Sequence, residues 1–361
     1  MNIAVIGANG FIGTRLVEML HLGGSHHVVP VVRRASGLAL AARFAVDWRI
    51  GDALDVASLT AALAGCDAVV HTALGDTRQI EAMPDMLCAA AAAAGVRRVI
   101  YVSSASVHGQ APDPGTDEDS PLHCRHAMDY NNAKVRAERA FFRGCRHHGL
   151  AGFALRPGVV FGPRSRWIAD LAADLRNERA WLLGDGDGIC NTLYVDNLVE
   201  AVIQGLTAPA EAAGPYLVGD AERITWADFY RGAADAFGLG HVVIHRLEAV
   251  PAFRRSAQEQ ISRVVAGRAV QTLLPVLPTR LKTVAKRLTV SLAAPVVAMD
   301  AWQLPERPRP RITQELALLQ QCRWQLPSER AALHLGYRPV INFATALHRS
   351  AAWLAFAEGT S

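Results

Sequence analysis

The chain opens with an apolar run, Ile3 to Ile6, that leads directly into the turn Gly7-Ala8-Asn9-Gly10-Phe11-Ile12-Gly13. A helical pattern follows, with Ile12, Leu16, Val17 and Leu20 on one face. No other stretch restricts the fold so narrowly. A short continuous apolar run suits a strand buried on both faces of a parallel sheet. Glycines at this spacing permit a tight turn and let the backbone approach a pyrophosphate at the helix N-terminus, where free N–H groups and the helix dipole favour an anion. The plainer alternative is a strand-to-helix turn without a ligand. With the flanking elements in this order, the turn predicts a dinucleotide site at Gly7, Gly10 and Gly13, with Phe11 and Ile12 as further contacts.

The next segments repeat the alternation. "HVVPVVRR" and "CDAVVHTAL" read as strands, "DMLCAAAAAAG" as a helix ending at Gly95, and "VRRVIYVSS" as a strand. Strands alternating with helices imply an α/β fold, a Rossmann-like doubly wound parallel sheet with helices on both faces. Regularity declines after about residue 160. The expected organisation is a dinucleotide-binding domain over 1–160, with strand and helix returns from about 190–205. A smaller, mainly helical substrate lobe is expected over 161–361.

Composition limits the class. With 51% hydrophobic and 19% charged residues the chain reads as a soluble globular protein with a large core. Its net charge of +4 conceals an uneven distribution. Residues 253–290 carry eight Arg and Lys against Glu259 alone, +7 in one segment, which leaves −3 elsewhere. The six cysteines are scattered without a C-x-x-C pair, as in reduced intracellular thiols. "MNIAVIG" has no basic leader, and no run approaches the roughly 18 apolar residues of a membrane span. A cytoplasmic protein acting on a small molecule, without a nucleic-acid partner, is expected.

"DYNNAK" (129–134) places Tyr130 and Lys134 on one helical face, about 5–6 Å apart at Cβ. Such a pair is common by chance. Its weight comes from "YVSSASVHG" (101–109), which ends a strand with hydroxyls at the sheet edge where α/β ligands bind. Together with GANGFIG, GDALD, VVHTAL, LRPGVVFGP (155–163), LYVDNLVEA (193–201) and LGYRP (335–339), these motifs resemble the extended short-chain dehydrogenase/reductase family of nucleotide-sugar epimerases, dehydratases and 3β-hydroxysteroid-type dehydrogenases. The resemblance spans nearly the whole chain and is thinnest over about 240–325.

The resemblance implies that Tyr130 is the catalytic acid/base, that Lys134 supports it and holds the nicotinamide ribose, and that Ser104 bonds the reacting carbonyl or hydroxyl. Ser103 and Ser106 are expected to be strand and turn hydroxyls. Ala53, Ala73 and Pro157, which lie in the family motifs, are expected to contact the cofactor. The chemistry agrees: free tyrosine has a pKa near 10, and a lysine ammonium one turn away favours its phenolate.

Arg33 and Arg34 end the second strand. An acid there would bond the ribose hydroxyl of NAD, whereas arginine suits the 2′-phosphate of NADP, so NADP is the preferred cofactor and NAD the alternative. Asp52 of GDALD is placed to accept from the adenine amino group. Three departures from the family pattern narrow the activity. Ala105 and Ser106 replace the Asp-Glu pair of dehydratases. Val159 stands where UDP-hexose epimerases carry an asparagine, and Cys190 where they carry a diphosphate-clamping arginine, although Arg164 and Arg166 could approach from another direction. The expectation is net hydride transfer at a secondary alcohol or ketone of a sugar-like or lipid-like substrate. A nucleotide-sugar epimerase with tightly held NAD is the second reading, and a non-catalytic NADP-binding protein the third.

His123, Cys124 and His126 match no common zinc spacing, so no metal site is expected and substrate contact is preferred for them. His71, in an apolar strand, is expected to be a hydrogen-bonded core histidine. Trp167, Trp181 and Trp226 are expected in the core of the substrate lobe, with the pocket as the alternative place for one of them. The alanine-rich stretch 86–95 and the Tyr130 helix correspond to the dimer-forming pair of many relatives, so a homodimer is expected. Leu281, Val284, Ala285 and Leu288 form an apolar stripe flanked by Lys282, Lys286 and Arg287. This raises peripheral contact with the inner face of an anionic membrane through 253–290, against the plainer reading of a packed stripe with solvated cations.

Overall fold

The computed structural model describes residues 1–39, 43–251, 253 and 312–359. By internal contacts the chain divides into Met1–Glu248 with Glu315–Ser361, and Ala249–Gln314. The basic stripe of 281–288, and with it the membrane expectation, lies outside the described residues.

The first unit begins with β1 (Asn2–Ile6), α1 (Phe11–Gly23), β2 (His27–Val32), β3 (Arg49–Ile50), α2 (Val56–Leu63) and β4 (Ala68–His71). It continues through α3 (Thr77–Ala93), β5 (Arg98–Val102), α4 (Asp129–His148) and β6 (Ala151–Pro157). Then come β7 (Val159–Phe161), α5 (Arg166–Arg176), β8 (Trp181–Leu183), β9 (Thr192–Tyr194), α6 (Val195–Thr207), β10 (Pro215–Val218), α7 (Trp226–Ala236) and β11 (His245–Leu247). Seven strands form one sheet in the order β10-β6-β5-β4-β1-β2-β3, with every pairing parallel. The order reverses between β1 and β4. Ligands of open α/β sheets bind in the crevice that such a reversal opens at the strands' carboxyl ends.

Alternation along the strands sends side chains to two cores. Ile3, Val5, Val28 and Val70 meet Leu16, Val17 and Leu20 of α1 and Leu198 and Val202 of α6. On the other face Ala4, Ile6, Val29 and Val69 meet Leu59 and Leu63 of α2, Leu87 of α3, and Ala137 and Phe141 of α4. Each fully buried leucine contributes roughly 1.5–3 kcal/mol relative to exposure. The alanines of α3 let it lie close to α4 beneath the sheet, while the outer faces carry Arg136–Glu81 (2.6 Å) and Arg143–Asp85 (3.2 Å) pairs. A third core, built on Phe161, Trp226, Phe229 and Tyr230, carries the substrate lobe. Among the described residues no helix is long and apolar enough to cross a membrane.

Candidate active site

The glycine turn lies at the reversal of strand order. Gly7 has φ +81°, a region favouring glycine, and a Cβ on it would come within 2.7 Å of the Ala73 nitrogen. A Cβ on Gly13 would press into the Gly7 carbonyl. Gly10 caps α1 without a side-chain hydrogen bond, so the first N–H groups of the helix are open to a ligand. These features fit a dinucleotide pyrophosphate. The cleft in front of the turn encloses about 690 Å³. Its walls include Gly7, Gly10, Phe11, Ile12, Arg33, Asp52, Ala53, Ala73, Ser104, Tyr130, Lys134 and Pro157.

Two expected contacts stand apart from that wall. Gly13 packs beneath the turn instead of lining the cleft, and Arg34 is exposed outside it. The Asp52 Oδ1 accepts from the Leu54 N–H at 3.0 Å, so one carboxylate oxygen is committed to its own turn. The cleft also takes Thr72, Arg164 and Arg166, which sequence reasoning had not placed there. Arg164 has φ +71°, unusual for a side-chain-bearing residue, and its guanidinium lies 3.5 Å from Glu18 of α1. The run of Arg164 and Arg166 after a Gly-Pro turn was the available signal. The two side chains flank the cofactor cleft and do not line the neighbouring substrate-side cavity.

Tyr130, Lys134 and Glu138 succeed one another at four-residue intervals on the inner face of α4. Ser104 lies beside Tyr130 on the same wall, and its hydroxyl accepts from the Ser106 N–H at 3.2 Å. Burial pushes Tyr130 up to about 12, with the neighbouring Ser104 side chain acting the other way. Lys134 is fully buried, and its Nζ donates to the Val102 carbonyl at 3.2 Å and lies 5.9 Å from the Tyr130 ring centroid. Burial lowers Lys134 to about 8, so it retains a proton at neutral pH. Glu138 anchors the assembly from below. It accepts from the Ser103 hydroxyl at 2.6 Å and from Arg156 Nη2 at 2.5 Å, with both carboxylate and guanidinium almost wholly buried. Arg156 also donates to the Glu118 carbonyl at 3.1 Å. The ends of β5, α4 and β6 are thus tied together under the reacting groups.

On the far side of Tyr130 a cavity of about 390 Å³ is lined by Ser104, Ser106, Tyr130, Val159, Trp167 and Trp226, among others. Trp167 and Trp226 both reach it, whereas Trp181 does not. His123 and His126 do not line it, contrary to the substrate contact expected of them. They stack on each other at 4.2 Å, and His126 Nε2 is engaged with the Val107 carbonyl at 3.0 Å. Cys190 is buried outside this lining. His71 is in the core as expected, but neither ring nitrogen has a hydrogen-bond partner among the described residues.

A doubly wound parallel sheet, a glycine cradle at its reversal point and a lysine-supported tyrosine facing a partly open cavity define an NAD(P)-dependent enzyme. Residues 3–219 match the family model described as the NAD dependent epimerase/dehydratase family, and the chain belongs to that family. The chain is 32% identical to the 3-diazoavenalumate denitrifying reductase of a Streptomyces species, over 62% of this chain and 77% of that one. It is 29% identical to the 2-alkyl-3-oxoalkanoate reductase of Stenotrophomonas maltophilia (strain K279a), over 67% of this chain and 77% of that one. The crystal structure of the dTDP-glucose 4,6-dehydratase of Streptomyces venezuelae has the same fold. It superposes with a TM-score of 0.69 at 19% identity, covering 99% of this chain and 98% of that one.

Proposed function

We propose that the protein is a reductase of the extended short-chain dehydrogenase type, interconverting a ketone and a secondary alcohol with NADPH as the preferred reductant. The observation that carries this reading is the position of Ser104 and Tyr130 in the wall shared by the cofactor cleft and the substrate-side cavity. The bound nicotinamide supplies the hydride. Ser104 and Tyr130 orient the carbonyl oxygen, and the Tyr130 hydroxyl delivers a proton to it as the alcohol forms. Burial keeps that hydroxyl protonated through neutral pH, the state a proton donor requires. Lys134, held on the Val102 carbonyl, presents its charge beneath Tyr130 and favours the phenolate left when that proton is given up.

Arg33 is exposed on the cleft wall just after β2, where its guanidinium suits a 2′-phosphate. The reductase names among the relatives agree with net redox chemistry. The test combines cofactor and mutation. Purified protein should take up NADPH more tightly than NADH and oxidise it in the presence of ketones. Tyr130→Phe should keep cofactor affinity while losing roughly 10²–10⁴-fold in turnover, the usual contribution of a positioned acid/base. Protein that retains stoichiometric NAD through purification and inverts a substrate without net redox would identify an epimerase instead. Undiminished turnover in Tyr130→Phe would remove Tyr130 from the chemistry.

A further inference from the structure

The substrate-side cavity offers few polar groups that are not already committed. Gln110 and Asn131 bond each other through their amides. Asn191 donates to the Trp324 carbonyl at 3.1 Å and accepts from the Leu326 N–H at 2.8 Å. The Trp226 indole donates to the Leu319 carbonyl at 3.2 Å. What remains among the described residues is the Ser104–Tyr130 pair, the Ser106 hydroxyl, which has no partner there, the Trp167 indole and Glu315. Glu315 is the only charged side chain that the described residues bring to this lining. Among the described residues, the arginines nearest to it in sequence are engaged elsewhere, Arg323 with Asp187 and Arg330 with Asp119.

We propose that the cavity selects a compact ketone with an apolar body and a hydroxyl or amine that donates to Glu315, and turns away phosphates and carboxylates. This rests on the reading of Ser104 and Tyr130 as the end that holds the carbonyl. Trp167, Trp226, Ile189 and Leu319 give the body apolar walls, and the volume lies near the lower end of the about 300–1,000 Å³ typical of small-ligand sites. A carboxylate shut in by a substrate must receive a hydrogen bond or lose its solvation uncompensated. A donor on the ligand meets that need with a charge-assisted bond. An anion would instead face like charge, and the described lining residues offer no guanidinium to offset it. Tyr130 and Glu315 line the same cavity, and the carboxylate adds slightly to the burial that disfavours the Tyr130 phenolate.

The test uses four aryl ketones of one shape: 4′-hydroxyacetophenone, 4-(aminomethyl)acetophenone, 4-methylacetophenone and 4-acetylbenzoate. Each is measured twice, as kcat/KM with NADPH and as Kd for the NADP⁺-loaded protein from tryptophan fluorescence. The hydroxyl or aminomethyl ketone should exceed 4-acetylbenzoate by about 10–100-fold in both measurements. Whichever exceeds the methyl reference identifies the donor as hydroxyl or ammonium. Glu315→Gln should shrink the ratio to about threefold or less, chiefly by improving 4-acetylbenzoate. Equal binding of the methyl and carboxylate ketones to the unmodified protein overturns the proposal. So does a preference that survives Glu315→Gln, or failure of all four to bind. Selective binding without turnover of any ketone would sink the reductase reading and leave the selectivity of the cavity standing. Turnover without selectivity would do the reverse.

Discussion

His71 offers a measurement of how strongly the floor of the site resists charge. It ends β4, packs at a tilt against Tyr101 at 5.5 Å and is buried, with both ring nitrogens unpartnered among the described residues. Burial, reinforced by the positive charge of Lys134, pushes it down to about 3 from 6.5. The folded protein therefore holds His71 neutral while the unfolded chain protonates below pH 6.5. The stability this provides is complete above pH 6.5 and is lost as pH falls toward 3. At about 1.4 kcal/mol per unit, the loss reaches about 2 kcal/mol by pH 5. His71→Leu removes the titration and the two unpaired nitrogens at similar volume. Urea unfolding of both proteins at pH 7.5 and 5.0, followed by far-UV circular dichroism, isolates the effect. Other acid-sensitive groups cancel in the difference, including His108, which burial pushes down to about 4. The variant should lose about 2 kcal/mol less than the parent between the two pH values, and should match or exceed the parent at pH 7.5. An identical pH dependence in the two proteins would refute the assignment of a neutral, unpaired His71.

Three further outcomes are expected. Gly13→Ala should abolish cofactor binding while the protein remains folded, because the added methyl displaces the Gly7 carbonyl that shapes the turn; titration with NADPH reads it directly. Arg33→Asp should narrow or invert the preference for NADPH over NADH in the same titration, since it sets an acid where a 2′-phosphate is expected. Arg156→Met should cost about 3–5 kcal/mol in chemical unfolding, because it leaves the buried Glu138 carboxylate without its guanidinium. Glu138→Gln in that background should recover part of the loss.

The cofactor half of the protein was legible in the chain because its chemistry is local. Gly7 to Gly13, the apolar runs of β1 and β2, and the Tyr130–Lys134 spacing each state a backbone requirement within a few residues. Period and glycine placement alone carry that information. Gly13 and Arg34 show the limit even there: one shapes the turn from beneath and the other points away, a distinction that depends on side-chain direction and not on spacing. Arg156 was harder to read. Its partner Glu138 lies on α4 and its other contacts on the segment around residues 108–118, so its role as a tie beneath Ser103 exists only once β5 and β6 are side by side. The substrate side was least legible. Trp167, Ile189, Trp226 and Leu319 come from separate elements, and Glu315 enters on the six-residue helix Gln314–Leu319, far along the chain from Tyr130. No periodicity links a glutamate at that distance to a catalytic tyrosine. Cys190 and Val159, standing where relatives carry an arginine and an asparagine, pointed away from diphosphate recognition without naming what the cavity takes instead. Folding brings a carboxylate among aromatic walls there, so the proposed selectivity depends on assembled surfaces, whereas the proposed hydride chemistry depends on motifs that can be read along the chain.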